Sequence, residues 1–342
     1  MASISRERLQ EIFSRYDTLH ITLAGDVFLD RWSEIDESLN EPSLETGLTA
    51  YQIVKKRSAP GAGGTVLNNL SEMGVGTLEV ITIVGDDGDG WEVCKRLNER
   101  RVDTSNVIVS DQIVTPSYIK PLFPVEGNRL DIKNFKPTPD AIQDELITRI
   151  EEALKRSDAL ILLDQICEAD VGVLTGRVRE AVCSMADRYP DKLIFADSRA
   201  FIECFHDVVI KCNCLEAARM TGREADEEVF DRDEVFACMD ELREKNRKPV
   251  IVTCNKHGVA VEAGDGKKLV PAVLHKGPID ICGAGDACSA GLVTALCAGA
   301  SYAEAAAIGN LSSGVTVRML GQTGAASREA MLALYDEQNG EE

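Results

Sequence analysis

Apolar positions fall along this chain at two spacings. Leu9, Ile12, Phe13 and Tyr16 recur at the interval of one helix face, and LHITLAGD (19–26) is a nearly unbroken apolar run ending in Gly-Asp. The first pattern predicts an amphipathic helix and the second a buried strand. From Gly61, GAGGTVLNNLSEMG predicts a glycine-rich turn into a helix with Val66, Leu70 and Met73 on one face, closed by Gly74. LEVITIVGDDGDG (78–90) reads as strand and loop, and 91–103 as a second helix. Further along, the pattern predicts helix 140–156, strand 159–164, helix 170–188, strand 192–197, a strand or turn over 207–213, and helices 214–222 and 233–245. Strand 249–255, a hairpin over 258–274 and helices 285–299, 301–319 and 327–338 complete the series. Regular alternation of this kind predicts an α/β fold whose mostly parallel central sheet is covered by helices on both sides.

Two stretches break the alternation. Residues 33–58 and 107–135 lack helical spacing and carry β-formers such as Tyr51, Ile53 and Val54 or runs such as TPSYIKPLF. They predict short strands of an accessory β-sheet inserted into a single α/β domain over 1–335, followed by an acidic tail at 336–342.

Composition narrows the function classes. The 342 residues include 57 acidic and 37 basic side chains, a net charge of −20, which opposes nonspecific binding to nucleic acid or anionic membrane. A polyanionic ligand must then be met by a local cluster of donors. No apolar run reaches membrane-spanning length, and MASISRERLQEIFSRYD carries charges where a signal peptide needs an apolar stretch, so the expectation is a cytoplasmic protein. Eleven cysteines stand beside only four histidines with no repeated CxxC pair, a pattern of reduced thiols rather than a zinc site, with Cys212 and Cys214 the closest two.

The stretch with chemistry is DICGAGDACSAG (280–291). Gly283 and Gly285 leave backbone amides open at the start of a predicted helix, where unpaired N–H groups attract anions. Asp286 in that first turn has two readings: a favourable partner of the helix dipole, or a base beside an anion hole. Together, amides and carboxylate can stabilise a phosphoryl group in transfer and take the proton of an attacking hydroxyl.

GDVFLD (25–30), PGAGGTVLNNLSEMG (60–74), NCLE (213–216), VTCNKHG (252–258) and DICGAGDACSAG occur in the order and approximate spacing of the ribokinase-like (PfkB) carbohydrate kinases. The resemblance spans about residues 20–330, and GDVFLDRW looks most like the heptose-phosphate kinase branch. It implies a Rossmann-like, ribokinase-like fold with a β-sheet lid, and ATP-dependent transfer of the γ-phosphoryl group to a hydroxyl of a sugar or sugar phosphate. Asp286 would be the base and the Gly283, Ala284 and Gly285 amides the anion hole. Asn213 and Glu216 match the motif that organises Mg²⁺ near the phosphates; read alone, a Glu at a helix start such as Glu216 is more commonly a capping or surface residue. Thr253 and Gly258 match the loop along the nucleotide, and Asn310 a polar residue near the adenine. Asp280, with Gly321 and Thr323, resembles the loops that hold potassium, while alone it reads as a turn residue.

On the sugar side Asp26 and Asp30 are short acceptors on a strand-end loop, with Gly61, Thr65 and Asn69 in the glycine-rich motif beside them. Here the chain departs from the family. Thr65 replaces an asparagine, Ala62-Gly63-Gly64 replaces Gly-Ala-Ala, and Gln165, Ile166 and Cys167 follow Asp164 where the heptose-phosphate branch has a lysine. ADSRAF stands where that branch has Asp-Pro-Lys, so Arg199 is a candidate cation, with Arg31 and Arg129 as further phosphate ligands. The resemblance also implies a homodimer paired through the lid. Two other classes compete: a dinucleotide oxidoreductase using Gly61–Gly64, and a silent family member that binds a metabolite. The first lacks a GxGxxG turn directly after the first strand; the second has no use for a base.

Overall fold

The computed structural model describes residues 4–224, 230–264 and 266–340. Nine strands form the central sheet in the order Gly266–Val270, Val259–Ala263, Val250–Thr253, Val209–Asn213, Leu193–Ser198, Ala159–Asp164, His20–Gly25, Thr77–Ile81 and Val102–Asp103. All neighbours are parallel except at Val259–Ala263, which runs antiparallel to the strands on both sides. The middle strands are buried on both faces, which is why HITLAG and ALILLD read as unbroken apolar runs rather than alternating ones. One apolar layer gathers Leu9, Leu67, Leu292, Leu311 and Leu334 from helices on one face, and the other gathers Leu146, Val178, Val182 and Leu242 from helices on the opposite face.

Strand order reverses between His20–Gly25 and Ala159–Asp164, which pair in parallel. In sheets of this kind the crevice beyond the carboxyl ends at such a reversal is where ligands bind. Asp26 stands there. The chain leaves it at once for a second sheet, in which Val27–Ile35 pairs antiparallel with Ile53–Ala62 and parallel with Ser117–Phe123. Val125–Glu126 and Leu130–Ile132 pair with Ser117–Phe123.

This sheet differs from the expected segments 33–58 and 107–135. Its first strand begins at Val27, directly off the core strand, and its second runs on to Ala62, while Ile108–Ser110 pairs instead with Ile83–Gly85. The sequence hid the early start because VFL continues the apolar run of the core strand. Three strands of the small sheet are pinned to one core helix, Gly88–Glu99: Arg31 meets Asp89 at 2.6 Å and Glu92 at 3.0 Å, Ser117 donates to Asp89 at 2.6 Å, and Ser58 donates to Glu92. Arg31 is therefore committed to carboxylates, against its expected role as a phosphate ligand.

Other boundaries shift for local reasons. The helix expected over 170–188 forms only at Gly176–Met185, because Asp170 and Gly172 take positive φ values of 59° and 87° and Thr175 caps the first turn. The last helix, Arg328–Gly340, absorbs the start of the expected acidic tail, with Asp336 paired to Arg6 at 2.7 Å; Glu341 and Glu342 lie outside the described residues. Among the described residues no helix is long and apolar enough to cross a membrane.

Candidate active site

The helix Ala284–Cys297 opens on Gly283, whose φ of 76° carries the chain through the turn. A Cβ there would come within 2.7 Å of Thr323 Cγ2, so the position requires glycine twice over. The Ala284 N–H donates back to Ile281 at 3.1 Å, while the Gly285 and Asp286 amides find no acceptor among the described residues. The turn thus leaves the Gly285 and Asp286 amides open to an anion, and that of Gly283 also has no acceptor among the described residues, while Ala284, expected to contribute, spends its N–H on the turn.

Asp286 is half-buried and faces a cleft of about 340 Å³ between the core and the small sheet, lined also by Asp30, Thr65, Tyr118, Arg199 and Gly283. Burial pushes its carboxyl up to about 7, Asp197 adds to the rise, and Lys211 and Arg199 oppose it. A carboxylate poised near neutrality is suited to accept a proton and release it again.

Beneath the anion hole lies a group the sequence reading missed. Lys211 is buried in strand Val209–Asn213 and meets Asp197 at 2.6 Å, while Ser289 from the second turn of the anion-hole helix donates to the same carboxylate oxygen at 2.8 Å. A Cβ on Gly285 would stand 3.7 Å from Lys211 Nζ, which places the ammonium beside the start of this helix. Burial works to lower the Lys211 pKa, but Asp197, with help from Asp286, outweighs it and keeps the side chain charged. The available signal was a lysine in an otherwise apolar strand, VIKCN.

The expected sugar-side residues separate into two groups. Asp30, Thr65, Arg129 and Arg199 line the cleft. Asp30 is held by Lys120 at 2.9 Å, and a Cβ on Gly61 would fall 2.5 Å from Asp30 Oδ2, so Gly61 keeps room for that carboxylate. Arg129 packs over the Tyr118 ring and pairs with Asp131 at 2.6 Å. Arg199 is exposed in the cleft and has no ion-pair or side-chain hydrogen-bond partner among the described residues.

Asp26 and Asn69 belong to the scaffold instead. Asp26 is buried and its carboxylate accepts the amides of Gln165 at 2.9 Å, Ile166 at 3.2 Å and Val173 at 3.0 Å. Asn69 is fully buried, donating to Thr65 O at 3.0 Å and accepting from the Ala326 amide at 3.0 Å. Neither lines the cleft: their polar atoms already serve the backbone.

On the nucleotide side, Asn213 and Glu216 form a reciprocal capping box on the short helix Cys214–Met220, with bonds of 2.9 and 2.8 Å. One oxygen of Glu216 is thereby committed. The carboxyl is half-buried and burial raises its pKa, opposed by the Asn213 amide and the charges of Lys211 and Arg219. A single such carboxylate fits Mg²⁺ that arrives already bound to phosphates, and no cluster of three or more ligands for a dedicated metal occurs among the described residues. Thr253 lies beside Asn213 on the neighbouring strand. Gly258 has φ 109°, and a Cβ there would lie 2.0 Å from Val270 O, so its requirement is backbone packing. Asn310 is buried and donates to the carbonyls of Val270 and Pro271, both at 3.0 Å. Asp280 ties the two loops assigned to the cation together, accepting the Cys282 and Gly321 amides at 3.0 Å each.

The buried pair makes a stability prediction. Lys211→Met strands the Asp197 carboxylate and should cost about 3–5 kcal/mol, whereas adding Asp197→Leu should recover most of that loss. Urea unfolding of the two variants checks it, and equal losses in both would refute the pairing.

The first relatives found are each called a bifunctional protein HldE: that of Aliarcobacter butzleri is 25% identical over 307 residues, covering 88% of this chain and 61% of its own length. That of Paramagnetospirillum magneticum is 27% identical over 339 residues, covering 96% and 66%. The chain thus spans about two thirds or less of the length of these relatives. Phosphofructokinase-2 from Escherichia coli, solved in complex with potassium, matches with a TM-score of 0.73 at 15% identity over 94% of this chain and 99% of that one. Arabidopsis thaliana ribokinase, solved with ribose and ATP, matches with a TM-score of 0.66 at 14% identity over 92% and 98%. These structures share the ribokinase-like fold. The family model described as pfkB family carbohydrate kinase matches residues 33–328. With the motifs, the sheet order and the anion hole in agreement, the chain belongs to the pfkB family of carbohydrate kinases.

Proposed function

We propose that the protein transfers the γ-phosphoryl group of ATP to a hydroxyl of a sugar phosphate, with Asp286 as the general base. The observation that carries this reading is the half-buried Asp286 carboxylate, raised to about 7, beside the open Gly285 and Asp286 amides and above Lys211. The sugar lies in the cleft, one hydroxyl directed at Asp286 and another at the free edge of the Asp30 carboxylate. Asp286 takes the proton as the hydroxyl oxygen attacks. The open amides and the Lys211 ammonium stabilise charge on the transferring group, which is the largest contribution a site of this kind makes. When bound, Mg²⁺ at Glu216 supplies further neutralisation of the phosphates, and potassium at the loops bridged by Asp280 fixes the shape of the turn before Gly283. Asn213, Thr253, Gly258 and Asn310 shape the wall along the nucleotide.

A phosphate on the acceptor is favoured by Arg199, an unpartnered guanidinium in a cleft that also holds Arg129 and Lys133. A neutral sugar would leave that charge without a function. The small sheet acts as a lid that excludes water when closed. The small sheet and its flanking loops expose Tyr51, Ile53, Val54, Val125, Leu130 and Phe135, and Ile53–Ala62 is an edge strand, so a second copy of the chain covers this edge. Light scattering should return twice the 37.2 kDa of one chain, and Val54→Lys should return a single one; a monomer in the unsubstituted protein rejects the dimer.

The test of function is release of ADP over a panel of sugars and sugar phosphates, with heptose phosphates first, in magnesium with potassium or sodium. Asp286→Asn should lower kcat by ~10²–10⁴. Because the base must be ionised, kcat/KM should fall tenfold per unit as pH drops below about 7. Arg199→Met should raise KM for phosphorylated acceptors while leaving that for unphosphorylated ones unchanged. If no compound gives turnover that is lost in Asp286→Asn, the chain binds a metabolite without phosphorylating it.

A further inference from the structure

The nucleotide-side motif carries a thiol that the proposed chemistry does not use. Cys214 lies between Asn213 and Glu216, and its sequence neighbour Cys212 is wholly buried in the strand. Its spatial partner is a different residue. Strands Val209–Asn213 and Val250–Thr253 are parallel neighbours with Asn213 opposite Thr253, and Cys214 and Cys254 are the residues that follow each. The strands are still adjacent at this point, since Thr253 Oγ1 donates to Cys212 O at 3.4 Å. The two thiols are near enough that Cys254 is the first influence on the Cys214 thiol and Cys214 the first on that of Cys254. Cys254 is 1% exposed, whereas Cys214 is half-buried and open to solvent.

Neighbouring strands are ~4.8 Å apart, inside the Cα separation of ~4.4–6.8 Å that a disulfide spans. We propose that Cys214 and Cys254 are a modification site: a hydroperoxide oxidises the pair to a disulfide across the two strand ends. The Cys214 sulfur attacks a peroxide oxygen, the O–O bond breaks, and a sulfenic acid and one water form. The Cys254 sulfur then attacks the sulfenic sulfur and expels the second water, its proton leaving with the oxygen. In sum, two thiols and one hydrogen peroxide give one disulfide and two waters, the sulfurs losing the two electrons that the peroxide gains. Cys214 is the entry point because Cys254 is shielded. The link would tie the capping box to the loop after Thr253, fixing two walls of the proposed nucleotide site against each other.

The chemical test does not depend on the kinase reading. The whole protein is treated with hydrogen peroxide, free thiols are alkylated, and peptides are mapped by mass spectrometry. A linked Cys214–Cys254 peptide is expected, regenerating two free thiols with dithiothreitol, and Cys254→Ser should instead leave Cys214 as an unlinked oxidised residue. Exposed Cys167, Cys204 and Cys282 serve as comparators. If those three oxidise while Cys214 and Cys254 are both recovered alkylated, the proposal fails. Binding of a fluorescent ATP analogue separates the two ideas, since the effect on nucleotide rests on the proposed function. A mapped disulfide with weaker, dithiothreitol-reversible binding supports both, and a mapped disulfide with unchanged binding upholds the modification site while counting against the nucleotide wall.

Discussion

The architecture converges on Asp26. Its amide donates to Leu163 O at 3.0 Å, its carbonyl accepts from Gly63 at 2.9 Å, and its carboxylate gathers the amides of Gln165, Ile166 and Val173. One residue thus joins the two strands at the reversal of the sheet, the start of the helix Gly63–Glu72, and the loop that supplies Gln165, Ile166 and Cys167 to the cleft. Burial pushes its pKa upward, and the three amides and the Arg179 charge oppose that push. A buried carboxylate is tolerated only when its lone pairs are met in this way. With three of its acceptor positions spent on backbone amides, Asp26 serves the scaffold, and the acceptor that lines the cleft is Asp30, four residues on.

The same logic governs the charges under the anion hole. The chain carries a net charge of −20, yet the cleft gathers Arg129, Lys133 and Arg199, with Lys211 beneath it. Local placement therefore overrides the global sign, as it must for a site that receives polyanions. Asp197 holds Lys211 in place from below, so the ammonium is fixed before any phosphate arrives. Ser289 joins this pair to the helix whose open amides face the cleft. Such preorganisation is what lets fixed charges act on a reaction without reorienting during it.

Much of this was legible in the sequence, and the failures have physical causes. The alternating strands and helices of the core were readable because buried parallel strands are continuously apolar and amphipathic helices are periodic. The GAGD turn was readable because two glycines that free the backbone amides stand directly beside an acid at a helix start, a combination that neither capping nor the helix dipole requires. What escaped were relations between distant segments. Nothing local distinguishes Asp26 from Asp30, since which one the backbone consumes depends on loop 165–173. Lys211 resembles any strand lysine until Asp197 is seen on the adjacent strand. Arg31 read as a free cation because its partners, Asp89 and Glu92, belong to a helix far along the chain. The early start of the small sheet was masked because its apolar VFL resumes directly after Asp26, too close to the core strand to read as a separate strand.

With burial pushing Asp286 up to about 7, the proposed site would also act as a proton store. A phosphate arriving beside it would raise its affinity for a proton, and a protonated Asp286 could no longer act as a base. Lys211 and Arg199 oppose that uptake, since each lowers the Asp286 pKa. Nucleotide binding and proton binding are thereby linked, and the number of protons taken up with ATP becomes a measure of how completely the cations screen its charge. On the proposed reading, the buried lysine would then do more than meet a phosphate: it would decide whether the loaded site still contains a base.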